Sequence, residues 1–87
     1  MDHIIEIKKV LSDVLGLGER INSMTTDTFL LGNIPEFDSV AVVTVILALE
    51  KEFSISINDD EISAQTFQTL GTLVNFVKNK IVEKDKQ

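Results

Sequence analysis

Phe37-Asp38-Ser39-Val40-Ala41-Val42-Val43-Thr44-Val45-Ile46-Leu47-Ala48-Leu49-Glu50-Lys51-Glu52-Phe53 is the stretch on which the fold turns. Its valines, Thr44 and Ile46 are β-branched, and propensity alone favours a buried strand. Length and punctuation decide for a helix. Asp-Ser just ahead of an apolar run is a helix-start signal, because either side chain can accept a hydrogen bond from a first-turn N–H. The Ala48-Leu49-Glu50-Lys51-Glu52 tail is built from good helix formers. A helix over 39–53 puts Val42, Ile46, Leu49 and Phe53 on one face, with Val43 widening it. The opposite stripe, Val40, Thr44, Leu47 and Lys51, is unexpectedly apolar. Ser39 stands at the mouth of this helix, where the positive end of the macrodipole favours an attached anion. A phosphate ester on its hydroxyl would be well placed.

Upstream, Ile4, Ile7, Leu11 and Val14 recur at helical spacing, with Val10 beside them, and predict an amphipathic helix over about 3–15. Gly16 is its natural C-cap. From Leu17 to Asp38 the periodicity dissolves into a loop of about twenty residues, a length that in a compact domain usually marks function. The apolar Ile21, Met24, Phe29, Leu30 and Leu31 within it predict a loop packed onto the core. Downstream, Asn58, Asp59 or Asp60 can cap a short helix around Glu61 to Gln65. Thr69 starts a last helix, to about Glu83, whose face is Leu70, Leu73, Val74, Val77 and Ile81. The expected core is Ile4, Ile7, Leu11, Val14, Val42, Ile46, Leu49, Phe53, Leu70, Val74 and Val77. All 87 residues then form one domain, 1–87, with 83–87 a frayed tail.

The chain carries no cysteine, so it has no disulfide, thiolate metal site or side-chain thiol nucleophile. Its longest apolar run, Val40 to Leu49, is shorter than the roughly 20 residues a bilayer requires. Met1-Asp2-His3 lacks the basic flank and apolar core of a signal peptide. A soluble cytoplasmic monomer is expected. The net charge is −6 and unevenly placed: residues 27–61 hold eight acids against Lys51 alone, a net of −7, and residues 62–87 a net of +2. A nucleic-acid binder needs the reverse, a basic stripe. The single histidine, His3, reads as a surface residue, and nothing brings it to Ser39 as a catalytic pair. Asp59-Asp60-Glu61 fails as a calcium loop, since Ala64 and Leu70 stand where Gly and Glu belong. It reads as a charged helix start. Neither catalysis by the chain's own side chains nor a metal site is expected.

Ser39 alone would be read as a simple N-cap. The ensemble reads differently. Leu31-Gly32, then Phe37-Asp38-Ser39-Val40, Ala48-Leu49-Glu50-Lys51-Glu52-Phe53, Ile57, Asp59-Asp60-Glu61 and Thr69-Leu70 resemble, over essentially the whole chain, the acyl carrier protein family. The resemblance implies an all-α, four-helix carrier bundle: three main helices, one short helix, and a long structured loop between helices 1 and 2. It implies that Ser39 receives 4′-phosphopantetheine from coenzyme A through a phosphodiester, and that Asp38 belongs to the attachment motif. The working thiol then belongs to the arm, and the protein supplies recognition rather than catalysis. The partners implied are a phosphopantetheinyl transferase, an acyl-activating ligase or synthase, and an acceptor acyltransferase.

Two departures point away from housekeeping fatty-acid synthesis. Carriers in that role bear acids on the exposed face of the second helix, where this chain has Ala41 and Thr44, with Val40 and Leu47 alongside. These residues either pack under the long loop or form an apolar docking face for a specialised partner. The segment Ile62–Gln68 is also longer than in those carriers. Pro35-Glu36-Phe37-Asp38-Ser39 and Ile62-Ser63-Ala64-Gln65-Thr66-Phe67 are similar to bacterial carriers associated with exosortase and exopolysaccharide gene clusters. The rival readings are an aminoacyl or peptidyl carrier and an unmodified helical adaptor.

Overall fold

The computed structural model describes residues 3–85. Three α-helices carry the fold: α1 (Ile4–Leu15), α2 (Ser39–Phe53) and α3 (Leu70–Asp85). Short 3₁₀ helices occupy Gly18–Ser23 and Asp59–Glu61. Among the described residues the only extended pairing is an isolated antiparallel bridge, Phe29 with Thr69. The architecture is all-helical, as expected.

α1 forms as its spacing predicts. Ile7 and Leu11 are fully buried, with Val10 and Leu15 beside them, while Ile4 and Val14 lie half-buried at the edge of the core. Gly16 takes the left-handed conformation (φ 65°), and its N–H donates to Ser12 O to close the helix. That turn drops Leu17 into the core, the apolar contact that commonly accompanies such a cap.

The Leu17–Asp38 segment is long but tightly held. Met24, Leu30, Ile34 and Phe37 are buried anchors. Its backbone is stitched to the start of α3: Leu30 N–H donates to Gln68 O (2.9 Å), Leu31 N–H to Phe67 O (3.1 Å), Leu70 N–H to Thr28 O (2.9 Å) and Gly71 N–H to Thr26 O (2.8 Å). The last approach requires glycine, because a Cβ at 71 would sit 2.8 Å from Thr26 O. Gly71→Ala is therefore expected to destabilise the domain by about 1–3 kcal/mol, despite alanine's better helix propensity. A urea midpoint equal to or above wild type would contradict this close approach.

α2 is a helix despite its β-branched residues and buries the expected Ile46 and Leu49, but the edge of its buried face differs from expectation. Val45 and Leu49 are fully buried and Ile46 nearly so, whereas Val42 and Phe53 are half-buried and Val43 is 56% exposed. Val43 thus belongs to the outer surface and Val45 replaces it in the core. Each residue advances about 100° around a helix, so the buried arc centred on Leu49 takes in Val45 and excludes Val43. The helix ends at Ser54, held in the left-handed conformation (φ 53°) with its N–H donating to Glu50 O.

The short helix is smaller and earlier than expected. It covers only 59–61, and the Glu61 carboxylate accepts from Asn58 N–H (2.9 Å). Beyond it Ser63 and Thr66 bond each other's side chains, and Thr66 N–H donates to Ser63 O (3.1 Å). Such local bonding competes with helix, and 64–67 is a turn. Thr69 and Thr72 cap α3 reciprocally, Thr72 N–H donating to Thr69 Oγ1 (3.1 Å) and Thr69 N–H to Thr72 Oγ1 (3.0 Å). Leu70, Leu73 and Val77 are fully buried and Val74 nearly so, as their spacing predicts. The tail expected to fray is helical through Asp85, and 86–87 lie outside the described residues. One apolar cluster joins all three α-helices and the loop anchors.

Candidate functional site

The N-terminal end of α2 is built in a specific order. Phe37 N–H donates to Ile34 O (3.0 Å), and both side chains are buried, so the chain arrives at the helix from a fixed point. An ion pair between Arg20 and Glu36 ties the first 3₁₀ turn to this approach. The Arg20 hydrogen bond is the main reason the Glu36 carboxyl titrates below its usual range. Asp38 is the N-cap: its backbone is extended and its Oδ1 accepts from Ala41 N–H at 2.8 Å. Ser39, one of the two residues able to cap, is instead the first helical residue and is exposed. With the Asp38 carboxylate and carbonyl taking the N–H groups of Ala41 and Val42, the positive helix end left over lies at Ser39 and Val40.

Beside Ser39 opens a groove of ≈ 370 Å³ whose apolar lining is Leu31, Phe37, Val42, Ile62, Ala64 and Phe67. Its floor is an edge-to-face aromatic pair, Phe37 and Phe67, with ring centroids 5.6 Å apart at 68°. Nothing in the spacing of Leu31, Ile62 and Phe67 marks them as neighbours of Ser39. The loop-to-α3 hydrogen bonds bring them there.

The far wall is anchored through Glu61. Its carboxylate receives Lys80 Nζ at 2.9 Å on both oxygens. The Glu61 pKa is lowered chiefly by the Asn58 N–H and then by Lys80, and Lys80 is raised chiefly by Glu61.

Of the four residues expected on a partner-facing surface, three are exposed. Val40 (73%) and Leu47 (60%) are exposed, and so is Thr44. They do not pack under the loop. Ala41 is half-buried against the core, because it lies one turn before Val45 on the inward side. Val43 takes its place on the outer face.

His3 packs its ring edge-to-face on Phe53, centroids 5.5 Å apart. That is the opposite end of α2 from Ser39, about 20 Å away by the helix rise, so the two cannot act as a pair. Among the described residues no group of three or more His, Cys, Asp or Glu side chains could hold a metal ion. No helix there is long and apolar enough to cross a membrane.

Comparison with known proteins matches the chain to a family. A family described as "Phosphopantetheine attachment site" matches residues 6–77. Among solved structures, the solution NMR structure of a holo acyl carrier protein from Nitrosomonas europaea is similar. It is 56% identical, with 94% of this chain and 99% of that chain covered and a TM-score of 0.88.

Proposed function

This chain belongs to the phosphopantetheine attachment site family, and from that premise we propose that Ser39 Oγ is the atom to which the arm is joined. The protein is an acyl carrier with covalent 4′-phosphopantetheine, and a carrier rather than an enzyme. The observation that carries the assignment is the division of labour at the start of α2: Asp38 caps the helix, which leaves the exposed Ser39 hydroxyl uncommitted. The residues fit the group. A phosphodiester on Ser39 lies at the positive end of α2, with the Leu31–Phe37–Val42–Phe67 groove beside it. When bound, the arm supplies the thiol that takes acyl groups as thioesters. This chain's part is to hold the attachment point rigidly and to present a surface to the enzymes that act on the cargo.

Carriers of this kind meet phosphopantetheinyl transferases and acyl-handling enzymes. For this one the finer reading is a specialised cytoplasmic pathway, in which a ligase or synthase loads the arm and an acyltransferase unloads it. What supports it is the outer face of α2 from Ser39 to Leu49, which carries no acid for the basic patches that acidic carriers engage.

Intact-protein mass before and after incubation with coenzyme A and a broad-specificity phosphopantetheinyl transferase tests the assignment. A gain of one phosphopantetheine, mapped by fragmentation to Ser39, is expected. No gain from folded protein, with the cognate transferase also tried, would leave an unmodified adaptor as the better account.

A further inference from the structure

We infer that Lys80, on α3, is a positioning residue for the groove beside Ser39: through Glu61 it holds the groove wall at Ile62 and so sets the space open to the root of the arm. The inference rests on Ser39 being the attachment point. Asp59-Asp60-Glu61, which the sequence marks as a charged helix start, divides in the structure. Asp59 and Asp60 are exposed, whereas the Glu61 carboxylate is engaged by α3.

Two lysines of α3 reach back along the chain. Lys84 Nζ donates to Phe53 O (3.2 Å) at the end of α2, and Lys80 Nζ donates to both Glu61 oxygens (2.9 Å each), 19 residues away. The Lys80 and Glu61 side chains are only 13% and 28% exposed, so the pair is screened less than one on the open surface. Glu83 lies 3.5 Å from the same ammonium and steadies it from its own helix. Glu61 also accepts from Asn58 N–H (2.9 Å). Lys80 thus grips the turn by the very group that closes it.

The wall hangs from this clasp. Ile57 N–H is held by Glu50 (2.7 Å) and Thr66 O by Thr72 Oγ1 (3.0 Å). Between those two points, among the described residues, Glu61 with Lys80 is the only hydrogen-bonded link to another element. Ile62 N–H donates locally to Asp59 O (3.2 Å), and Thr66 N–H to Ser63 O (3.1 Å). Beyond Thr66 the chain is stitched independently, by Leu30 and Leu31 N–H to Gln68 and Phe67 O. Ile62, Ser63 and Ala64 line the groove together with Ser39, so a shift of this span changes the space beside the attachment point. Next to its phosphate the arm carries two methyl groups on one carbon, and the Leu31, Phe37 and Phe67 lining suits that apolar root.

Amide exchange and proton NMR on Lys80→Met, Glu61→Gln and Lys80→Arg test this. Met keeps the aliphatic stem, Gln keeps an acceptor for Asn58 N–H, and Arg keeps the ion pair. In the Met and Gln variants, exchange at the Asn58 and Ile62 amides should rise about tenfold, while the Leu30, Leu31 and α1 amides stay within about twofold of wild type. Lys80→Arg should exchange as wild type does. In the loaded protein, the arm's two methyl groups should give separate signals beside the Phe37 and Phe67 rings, and these should draw together in the Met and Gln variants. Unchanged exchange at Asn58 and Ile62 in both variants, or an equal rise in α1, would overturn the inference, the second by making Lys80 a general stabiliser. Methyl signals that do not respond to Lys80→Met would overturn its action on the arm. Failure of wild type to load would count instead against Ser39 as the attachment point, with the exchange result still readable on the unloaded protein.

Discussion

Ser39→Ala is expected to gain no phosphopantetheine under any loading condition and yet to fold as well as wild type. The two halves of this result have separate causes. Loss of loading follows from removing the only hydroxyl at the start of α2. Retention of the fold follows from the cap, which is made by Asp38 Oδ1 to Ala41 N–H. Ser39 is exposed and already helical, and alanine is the better helix former. Stability should therefore stay within about 0.5 kcal/mol, or about 4 °C in melting temperature for a domain of this size. Asp38→Ala provides the contrast, because it removes the cap and should cost about 1 kcal/mol. Intact mass and thermal unfolding on the same samples read both quantities. Loading of the alanine variant would move the attachment to another hydroxyl. A large loss of stability in it would mean that Ser39 shares the capping role after all.

Leu49→Ala should produce the largest loss of stability, about 2–5 kcal/mol, as for other buried leucines. Leu49 is 0% exposed, in the cluster that takes in Ile7 and Leu11 of α1 and Leu73 and Val77 of α3. Truncation removes its packing and leaves a cavity that rigid neighbouring helices cannot fill. A domain of this size has a total stability of roughly 5–10 kcal/mol, so the variant should approach marginal folding. Leu47→Ala, two positions away on the outer face, should change stability by less than about 0.5 kcal/mol. Urea unfolding monitored by circular dichroism reads both, with the slope unchanged. Similar midpoints for the two variants would overturn the placement of Leu49 in the core and Leu47 on the outer face.

Val43 and Val45 of α2 show where sequence reading stops. α1 has polar residues between its apolar ones, so its buried face is legible from spacing, and Ile7 and Leu11 lie where expected. The face of α3 was legible for the same reason. From Val40 to Leu49 α2 is apolar nearly all round, and periodicity alone cannot choose a face. Val43, expected to widen the buried face, is accordingly exposed, and Val45 is buried.

What the sequence by itself determined was local: the helix start at Asp38-Ser39, the Gly16 stop, the faces of α1 and α3, and a motif order specific enough to name a family. The helix start, the stop and the two faces depend on neighbours a few residues apart, whose interactions are set by chain geometry, and the motif order is read along the whole chain. Only the tertiary structure decided that Val45, and not Val43, completes the buried side of α2, because that choice belongs to the helices packed against it. It also decided that Leu31 and Phe67, distant in the chain, wall the groove at Ser39. Their meeting depends on hydrogen bonds between the loop and the start of α3, and on a glycine at 71 that lets the two backbones touch.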